Sequence, residues 1–274
     1  MDQMPKMKQM SRTYGRALVT GATGGIGKAF AQALPVATDL LLAGRNDEAL
    51  SQLVQELSRP GRRVEGLAAD LGTDPGREAV AVAAENFAVD LFMCNAGQGP
   101  FGDFLEAEEA ALRATVSVNV MAPLVLLHRL LPGMLARAGA AGRRAGVIVT
   151  SSGVAFYPVP RLATYAASKA FSLSLTEALA AELDGAPVDL LALCPTATRS
   201  SFAERSGYGP NLPGAQHPAD VARAALQALG RQRTLTLGPI SGSLLTVPAL
   251  VRAGLAQTIS LFVRRRGGAN PRQS

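Results

Sequence analysis

Short apolar runs alternate along the chain with longer stretches in which apolar residues recur at every third or fourth position. The runs have the length of buried strands, and the stretches between them have the periodicity of amphipathic helices. Because strands that alternate with helices form parallel sheets with right-handed crossovers, the pattern predicts a doubly wound α/β fold. We predict seven strands, at Ala17–Thr20, Asp39–Ala43, Val64–Ala69, Leu91–Cys94, Val147–Thr150, Pro187–Leu193 and Leu235–Leu237.

The predicted sheet accounts for most of the chain. The 274 residues, 48% of them hydrophobic, suffice for one sizeable core, and no composition shift marks a second one. The longest helical stretch runs from about residue 107 to residue 138, despite Pro123 and Pro132. We predict a flexible leader at residues 1–14, a single domain at residues 15–240, and a helical, basic extension at residues 241–274 that packs on the domain or at an interface.

Composition and charge narrow the classes of function. The formal net charge of +6 comes from short basic clusters, so we assign it to a solvated surface and expect no nucleic-acid partner. Cys94 and Cys194 lie in apolar runs, which is typical of buried thiols in a reducing, cytoplasmic location. His128 and His217 are far apart, so no metal site is expected. The apolar segment 241–266 favours packing on protein, and peripheral membrane contact is the alternative.

A glycine-rich turn separates the first strand from the first helix. Glycines there let the backbone approach a pyrophosphate, and a helix N-terminus offers N–H groups and the positive end of its dipole. Their spacing differs from the familiar G-x-G-x-x-G pattern, so the position at the first strand–helix junction carries the assignment. The predicted phosphate-binding residues are Gly21, Thr23, Gly24, Gly25, Ile26 and Gly27.

The end of the second strand carries Gly44, Arg45 and Asn46. In dinucleotide-binding folds an acid at this place binds the ribose 2′-hydroxyl, whereas an arginine accommodates a 2′-phosphate. Since no acid is present, the sequence favours NADP over NAD as the cofactor. The alternative is that Arg45 is a solvent-facing loop residue.

Candidate proton-transfer chemistry lies in the helix after the fifth strand. Tyr165 and Lys169 are four residues apart, so they share one helix face, and a lysine cation there would lower the pKa of the phenol from about 10. The alternative is a surface helix pair. Ser152 follows the fifth strand, and Asn119 lies among apolar residues, where its amide needs partners.

These motifs together resemble the short-chain dehydrogenase/reductase family, from Gly15 to about Gly238. The resemblance rests on residues 20–27, Asp70, Asn95-Ala96-Gly97, Asn119, Ser152, Tyr165 and Lys169. It implies a Rossmann fold and an oxidoreductase that interconverts carbonyls and alcohols. The implied cofactor-binding set includes the turn residues, Arg45 and Asn46. It further includes Asp70, Leu71, Asn95, Ala96, Gly97, Tyr165, Lys169, Pro195 and Thr198.

The resemblance also implies catalytic roles. Tyr165 would act as general acid and base, Lys169 would lower its pKa and hold the nicotinamide ribose, and Ser152 would hydrogen-bond the substrate oxygen. Asn119 would kink its helix and hold a water of the proton relay. Two departures from the family pattern are Thr196 in place of a glycine and Cys94 in place of an asparagine.

The sequence constrains the chemical class of the substrate less than it constrains the cofactor. By family position, the pocket would be formed by residues 98–104, 154–161 and 199–214, which carry Phe101, Phe104, Phe156, Tyr157, Phe202 and Tyr208. These aromatic residues favour an apolar carbonyl compound or alcohol as the substrate. The expected oligomeric state is a homodimer or a homotetramer. The alternative functions are a catalytically weak, cofactor-binding regulator and a membrane-surface protein.

Overall fold

The computed structural model describes residues 13–200, residue 206 and residues 214–238. Residues 1–12 of the predicted leader and the whole extension at residues 241–274 lie outside the described residues, as do Phe202 and Tyr208. The predicted leader and extension therefore stay predictions.

Seven parallel strands form one sheet, as the alternation of strands and helices predicts. Their order is β3-β2-β1-β4-β5-β6-β7, so the chain winds outward in one direction from β1 and then in the other from β4. This confirms the doubly wound α/β fold. The strands are β1 (Arg16–Thr20), β2 (Asp39–Gly44), β3 (Val64–Ala68), β4 (Leu91–Cys94), β5 (Ala145–Thr150), β6 (Val188–Pro195) and β7 (Thr234–Leu237).

Some of the helices begin at a side-chain cap provided by the local sequence. Thr73 accepts a hydrogen bond from Gly76 N at the start of one helix, and His217 accepts one from Ala219 N at the start of another, each next to a proline in the first turn. The helices of the described residues are α1 (Gly25–Ala33), α2 (Asp47–Leu57), α3 (Asp74–Asn86), α4 (Glu109–Val116), α5 (Ala122–Ala140), α6 (Ala163–Glu182) and α7 (Pro218–Ala228).

The long helix predicted from residue 107 is two helices joined by a π-helical turn. Helix α4 ends at Val116, the π turn spans Ser117–Met121, and α5 continues to Ala140. A π turn inserts an extra residue into the helical ladder and is frequent at functional sites. Asn119 lies in this turn.

The sheet separates two apolar layers. One layer lies between the sheet and helices α3 and α5 and contains Phe92 and Leu127. The other lies between the sheet and helices α1 and α7 and contains Phe30, Leu42 and Ile148. Because helices cover both faces, the central strands are buried throughout and read as continuous apolar runs. Cys94 and Cys194 are buried free thiols, as predicted from their apolar surroundings.

One helical stretch of the described chain, Glu109–Ala140, is long and apolar enough to cross a membrane by length and composition alone. Leu126, Leu127 and Met134 in this stretch are buried in the same core cluster as strand residues. Packing against the sheet accounts for the buried part of its apolar surface, whereas Val116, Met121 and Leu124 are exposed.

Candidate active site

A cavity of about 700 Å³ runs along the carboxyl ends of the strands. Six consecutive strands of the sheet order each contribute the residues that directly follow them. This is the edge at which doubly wound sheets bind ligands, because the crevice opens where the chain reverses its direction of winding. The lining includes Gly21 after β1, Arg45 after β2, Asp70 after β3, Asn95 after β4, Ser152 after β5 and Thr196 after β6.

The glycine turn packs so closely that side chains are excluded from it. Gly21 has φ +64°, and a Cβ on it would lie 2.9 Å from Ala96 Cα. Gly24 is the N-cap of α1 and offers no side-chain hydrogen bond, so the first N–H groups of the helix face the cavity without a cap. A Cβ on Gly25 would lie 2.6 Å from Ser200 Cβ, which shows that the segment after β6 lies directly against the turn.

Gly27 has a different place from the other predicted turn residues. It is buried, does not line the cavity, and a Cβ on it would lie 2.1 Å from Gly21 O. Its lack of a side chain lets α1 pack on the turn, whereas Thr23, Gly24, Gly25 and Ile26 do line the cavity.

The adenosine end of the cavity, defined here as Gly44–Asn46 with Asp70, is open to solvent. Arg45 is exposed, lines the cavity, and forms no hydrogen bond or ion pair with the described residues. A Cβ on Gly44 would lie 3.5 Å from Thr23 Oγ1, so the Thr23 hydroxyl is near the end of β2. Asp70 is exposed and accepts a hydrogen bond from Gly72 N at 2.9 Å.

Asn46, which the sequence predicts to bind the cofactor, also has a structural role as the N-cap of α2. Its Oδ1 accepts a hydrogen bond from Ala49 N at 2.9 Å and so caps α2. The cap occupies the side-chain oxygen because residues of this type satisfy the first N–H groups of a helix. Its amide NH₂ group and the second lone pair of Oδ1 can still face a ligand.

The segment after β4 is fastened to β1. The Thr20 hydroxyl accepts hydrogen bonds from Asn95 N at 3.0 Å and Ala96 N at 3.2 Å, and Asn95 Nδ2 donates to Thr20 O at 3.2 Å. Gly97 follows, and a Cβ on it would lie 3.1 Å from Lys169 Nζ. The predicted Asn95–Gly97 segment thus connects the glycine turn to the lysine.

Lys169 is buried within the protein. Its side chain reaches the end of β5, where Nζ donates a hydrogen bond to Thr150 O at 2.8 Å. Lys169 Nζ lies 5.8 Å from the centroid of the Tyr165 ring, and Lys169 is only 4% exposed. Tyr165 lines the cavity with Ser152 and Lys169, and the Ser152 side chain is close enough to influence the pKa of the phenol. The structure thus brings together the three side chains predicted to handle the proton.

Burial changes the pKa values of both groups. Desolvation raises the pKa of Tyr165 to about 12, and the hydrogen bond with Ser152 opposes this rise only in part. Desolvation also lowers the pKa of Lys169 to about 8, against the opposing influence of Cys94 and Cys194. The predicted lowering of the Tyr165 pKa by Lys169 is not found, because burial dominates the pKa of Tyr165 and Lys169 is not among the groups that shift it.

Asn119 lies behind the cavity wall and binds Gln98, a residue of that wall. Its Oδ1 accepts from Gln98 N at 2.9 Å, and its Nδ2 donates to Gln98 O at 2.7 Å and to Ser168 Oγ at 2.9 Å. Its backbone carbonyl accepts from Ser172 Oγ at 3.0 Å. The residue is 1% exposed and does not line the cavity, so it acts on Tyr165 and Lys169 through helix α6.

Several contributors to this site carry no recognisable sequence motif. Ser168 connects Asn119 to the Tyr165 carbonyl, to which its Oγ donates at 2.7 Å. Ser151 Oγ donates to Lys169 O at 2.7 Å and so fixes α6 to the end of β5. A Cβ on Gly99 would lie 2.8 Å from Tyr165 Cδ2. The glycines that flank Gln98 were the only sequence signal of this close approach.

The predicted substrate aromatics divide into three groups. Tyr157 lines the main cavity, and Phe101 packs with Tyr165 in a small apolar cluster. Phe104 is 58% exposed and lines a second, smaller cavity instead. Phe156 packs against the cluster of Leu173 and Cys194, and it does not line the main cavity as predicted, because it points toward β6.

The residues present fit a nicotinamide dinucleotide. The cradle at Gly21 and Gly25 exists only because neither residue has a Cβ, and it opens at an uncapped helix N-terminus, which suits a pyrophosphate. At the other end Thr150 Oγ1 is buried without a hydrogen-bond partner beside Lys169. The glycine turn, Arg45 and Lys169 would therefore hold the phosphates, the adenosine ribose and the nicotinamide ribose. Fold and site together define a dinucleotide-binding oxidoreductase.

Comparison with known proteins gives the family. The profile of the short chain dehydrogenase family matches residues 16–209. The dehydrogenase/reductase SDR family member 2, mitochondrial, of Homo sapiens is 36% identical over 194 residues, which are 69% of this chain and 66% of that protein. SDR family member 7B of Xenopus laevis is 29% identical over 268 residues, which are 90% of this chain and 76% of that protein.

A solved structure agrees with the sequence relatives. A short-chain dehydrogenase from Sphingobium yanoikuyae, solved in complex with NADPH, superposes with a TM-score of 0.71 at 26% identity and covers 95% of this chain and 98% of its own. The chain belongs to the short-chain dehydrogenase/reductase family. It is an oxidoreductase that uses a nicotinamide cofactor and acts on CH–OH groups of small molecules.

Proposed function

We propose that the protein is an NADPH-dependent carbonyl reductase in which Tyr165 donates the proton to the substrate oxygen. The observation that carries this proposal is that Tyr165, Ser152 and the buried Lys169 line one cavity. When bound, the cofactor supplies the hydride. The protein supplies the proton, the position of the substrate and the polar groups around its oxygen.

The raised pKa of Tyr165 supports its proposed role as the proton donor in reduction. With a pKa of about 12, the phenol keeps its proton at neutral pH and can donate it to a carbonyl oxygen. In the reverse reaction the phenolate would accept the proton of an alcohol, so alcohol oxidation should be favoured by higher pH. Ser152 hydrogen-bonds the same oxygen and stabilises the charge that develops on it.

Arg45 favours NADPH as the cofactor. It is the cationic side chain that lines the adenosine end, it forms no ion pair with the described residues, and the Thr23 hydroxyl lies near it at the end of β2. A guanidinium binds a phosphate through charge-assisted hydrogen bonds. The similar dehydrogenase from Sphingobium yanoikuyae was solved with NADPH, which supports the same choice.

The substrate is proposed to be apolar around its carbonyl group. Val154, Tyr157 and Leu162 line the cavity near Tyr165 and present mostly hydrocarbon surface. A ketone with apolar or aromatic substituents would bury these groups against them, which contributes about 25 cal/mol per Å² of apolar area removed from water.

The direct test is a spectrophotometric assay of purified protein with NADPH and with NADH. A panel would compare apolar ketones and aldehydes with polar ketoses at neutral pH. The proposal requires faster oxidation of NADPH than of NADH, together with higher kcat/KM for the apolar carbonyls. Turnover of alcohols alone, or preference for NADH, would overturn it.

A further inference from the structure

A second cavity of about 310 Å³ adjoins the main cavity. Leu162 lines the main cavity, whereas its neighbours Arg161 and Ala163 line the second one. Phe101, which packs in the same cluster as Leu162 and Tyr165, also lines the second cavity. The two cavities therefore lie on opposite sides of one apolar wall, and the second plays no part in the chemistry proposed above.

Arg161 occupies a backbone position that favours glycine. The turn from Val159 to Leu162 is closed by a hydrogen bond from Leu162 N to Val159 O at 3.1 Å. Pro160 is its second residue, and Arg161, its third, has φ +68°. Pro followed by a positive φ is typical of a type II turn, whose third position is normally glycine. Side chains rarely adopt this conformation, and such positions cluster at ligand sites.

The Arg161 guanidinium is available for an anion. Its Nε is buried without a hydrogen-bond partner, and the side chain forms no ion pair with the described residues. Its contact is with the Phe101 ring, whose centroid lies 4.9 Å from the guanidinium carbon. The guanidinium lines the second cavity, and hydrogen bonds from a charged guanidinium to a carboxylate are stronger than those between neutral groups.

The N-terminus of α6 borders the same cavity. Ala163 and Thr164, in its first turn, line the cavity, and no side chain caps this helix. The first N–H groups of a helix have no intrahelical acceptor and carry the positive end of the helix dipole. An unpaired guanidinium and an uncapped helix N-terminus thus converge on one space.

We propose that the second cavity binds a carboxylate at the end of an apolar chain, with Arg161 and the α6 N-terminus as its anion partners. Pro100, Phe104 and Leu112 provide the apolar lining for the chain. Asp103 and Glu106 also line the cavity, and both are exposed. These two carboxylates repel a dianion more strongly than a monoanion, which favours a carboxylate over a phosphate.

This site goes beyond the proposed carbonyl reduction, and its test does not use turnover. Calorimetric titration of the full-length, NADPH-saturated protein would compare octanoate, its neutral counterpart octanamide, and octyl phosphate. The parent is expected to bind octanoate about tenfold more tightly than octanamide, since hydrogen bonds to a charged group are the stronger ones. Octyl phosphate is expected to bind no more tightly than octanoate.

Two variants assign this preference to Arg161. Arg161→Gly suits the turn and removes the cation, so the affinities for octanoate and octanamide should become equal, whereas Arg161→Lys should keep part of the preference. Arg143→Gln, at an exposed arginine before β5, is the matched control and should leave both affinities unchanged. Ala107→Trp would fill the cavity and weaken octanoate binding without altering charge.

The proposal fails if octanoate binds parent and Arg161→Gly equally, if Ala107→Trp leaves a folded protein with unchanged octanoate affinity, or if the parent shows no preference over octanamide. Thermal unfolding of each variant verifies that it is folded. Any of these results would leave the proposed carbonyl reduction intact, because that function is measured independently by NADPH oxidation.

Discussion

The two ends of the main cavity are built in contrasting ways. At the catalytic end, Lys169 and Asn119 are almost fully buried, and their polar atoms are bound to other elements of the fold. At the adenosine end, Arg45 and Asn46 are exposed, and among the described residues the Asn46 side chain bonds only its own helix. One end is fixed by long-range contacts and the other by local ones.

This difference assigns different tasks to the two ends. Chemistry requires that proton donor and acceptor be held in place, because small displacements of reacting groups are costly in rate. Cofactor choice requires only that one charge be present near the 2′ position. Substitutions at the catalytic end should therefore change turnover and stability by large factors, whereas those at the adenosine end should change selectivity and leave the fold intact.

The largest effect is expected from loss of the proton donor. Tyr165→Phe keeps the ring but removes the hydroxyl, so kcat should fall by at least about 10²-fold, the low end for general acid catalysis. NADPH affinity, measured by fluorescence titration, should change little. Tyr157→Phe removes a hydroxyl from the same cavity and should cost far less. Equal losses in the two variants would contradict the assignment of the proton to Tyr165.

Removal of the buried lysine should abolish activity and yet stabilise the protein. Because burial lowers the pKa of Lys169 from 10.5 to about 8, the unfolded chain binds more protons between these values. The parent should therefore gain stability as the pH rises from 8 toward 10.5. Below pH 8 the free-energy cost of burying the charged Lys169 is fully present. Above pH 10 this gain is opposed, because the pKa of Tyr165 is raised from 10 to about 12 and stability falls with pH between these values.

At pH 7, Lys169→Met should raise the free energy of unfolding by about 2 kcal/mol: about 3 kcal/mol from the pKa difference, less about 1 kcal/mol for the hydrogen bond lost to Thr150 O. Urea unfolding of parent and variant at pH 7 and pH 10 measures this. Lys28→Met, at an exposed ion pair with Glu56, is the control and should change stability little at either pH. A variant less stable than the parent at pH 7 would contradict the buried-charge account.

At the adenosine end, Arg45→Ala should weaken NADPH binding about ten- to a hundredfold and leave NADH binding nearly unchanged, since a lost hydrogen bond to a charged group costs about 1.5–3 kcal/mol. Gly44→Asp should shift preference toward NADH, because an acid accepts from a 2′-hydroxyl and repels a 2′-phosphate. Arg143→Ala controls for the loss of a positive charge. Equal weakening of both cofactors by Arg45→Ala would place Arg45 away from the 2′-phosphate.

The smallest effect is expected at the cap of α2. Asn46→Ala removes the acceptor for Ala49 N and should lower the free energy of unfolding by about 1 kcal/mol, whereas Asn46→Ser retains a capping oxygen and should lower it less. Chemical denaturation measures both. If Asn46→Ala lowered NADPH affinity as strongly as Arg45→Ala, the side chain would bind cofactor rather than cap the helix.

Local patterns sufficed for the fold and for the identity of the reactive groups. Buried strands such as β4 and β6 are recognisable because helices cover both faces of the sheet and leave continuous apolar runs. Helical spacing placed Tyr165 and Lys169 on one face of α6. The carboxyl ends of parallel strands meet at one edge, so the order of the motifs already predicted a shared cavity.

The tertiary structure decided what these groups experience. Whether Lys169 or desolvation controls the pKa of Tyr165 depends on how much water surrounds both, and burial across several elements is not encoded in a four-residue spacing. The partners of Asn119, Gln98 and Ser168, are 21 and 49 residues away in sequence, and only the π turn directs the amide toward them. The sequence by itself determined which chemical groups the protein carries. The folded chain decided their solvation and their partners, because both depend on residues that approach one another only across the sheet.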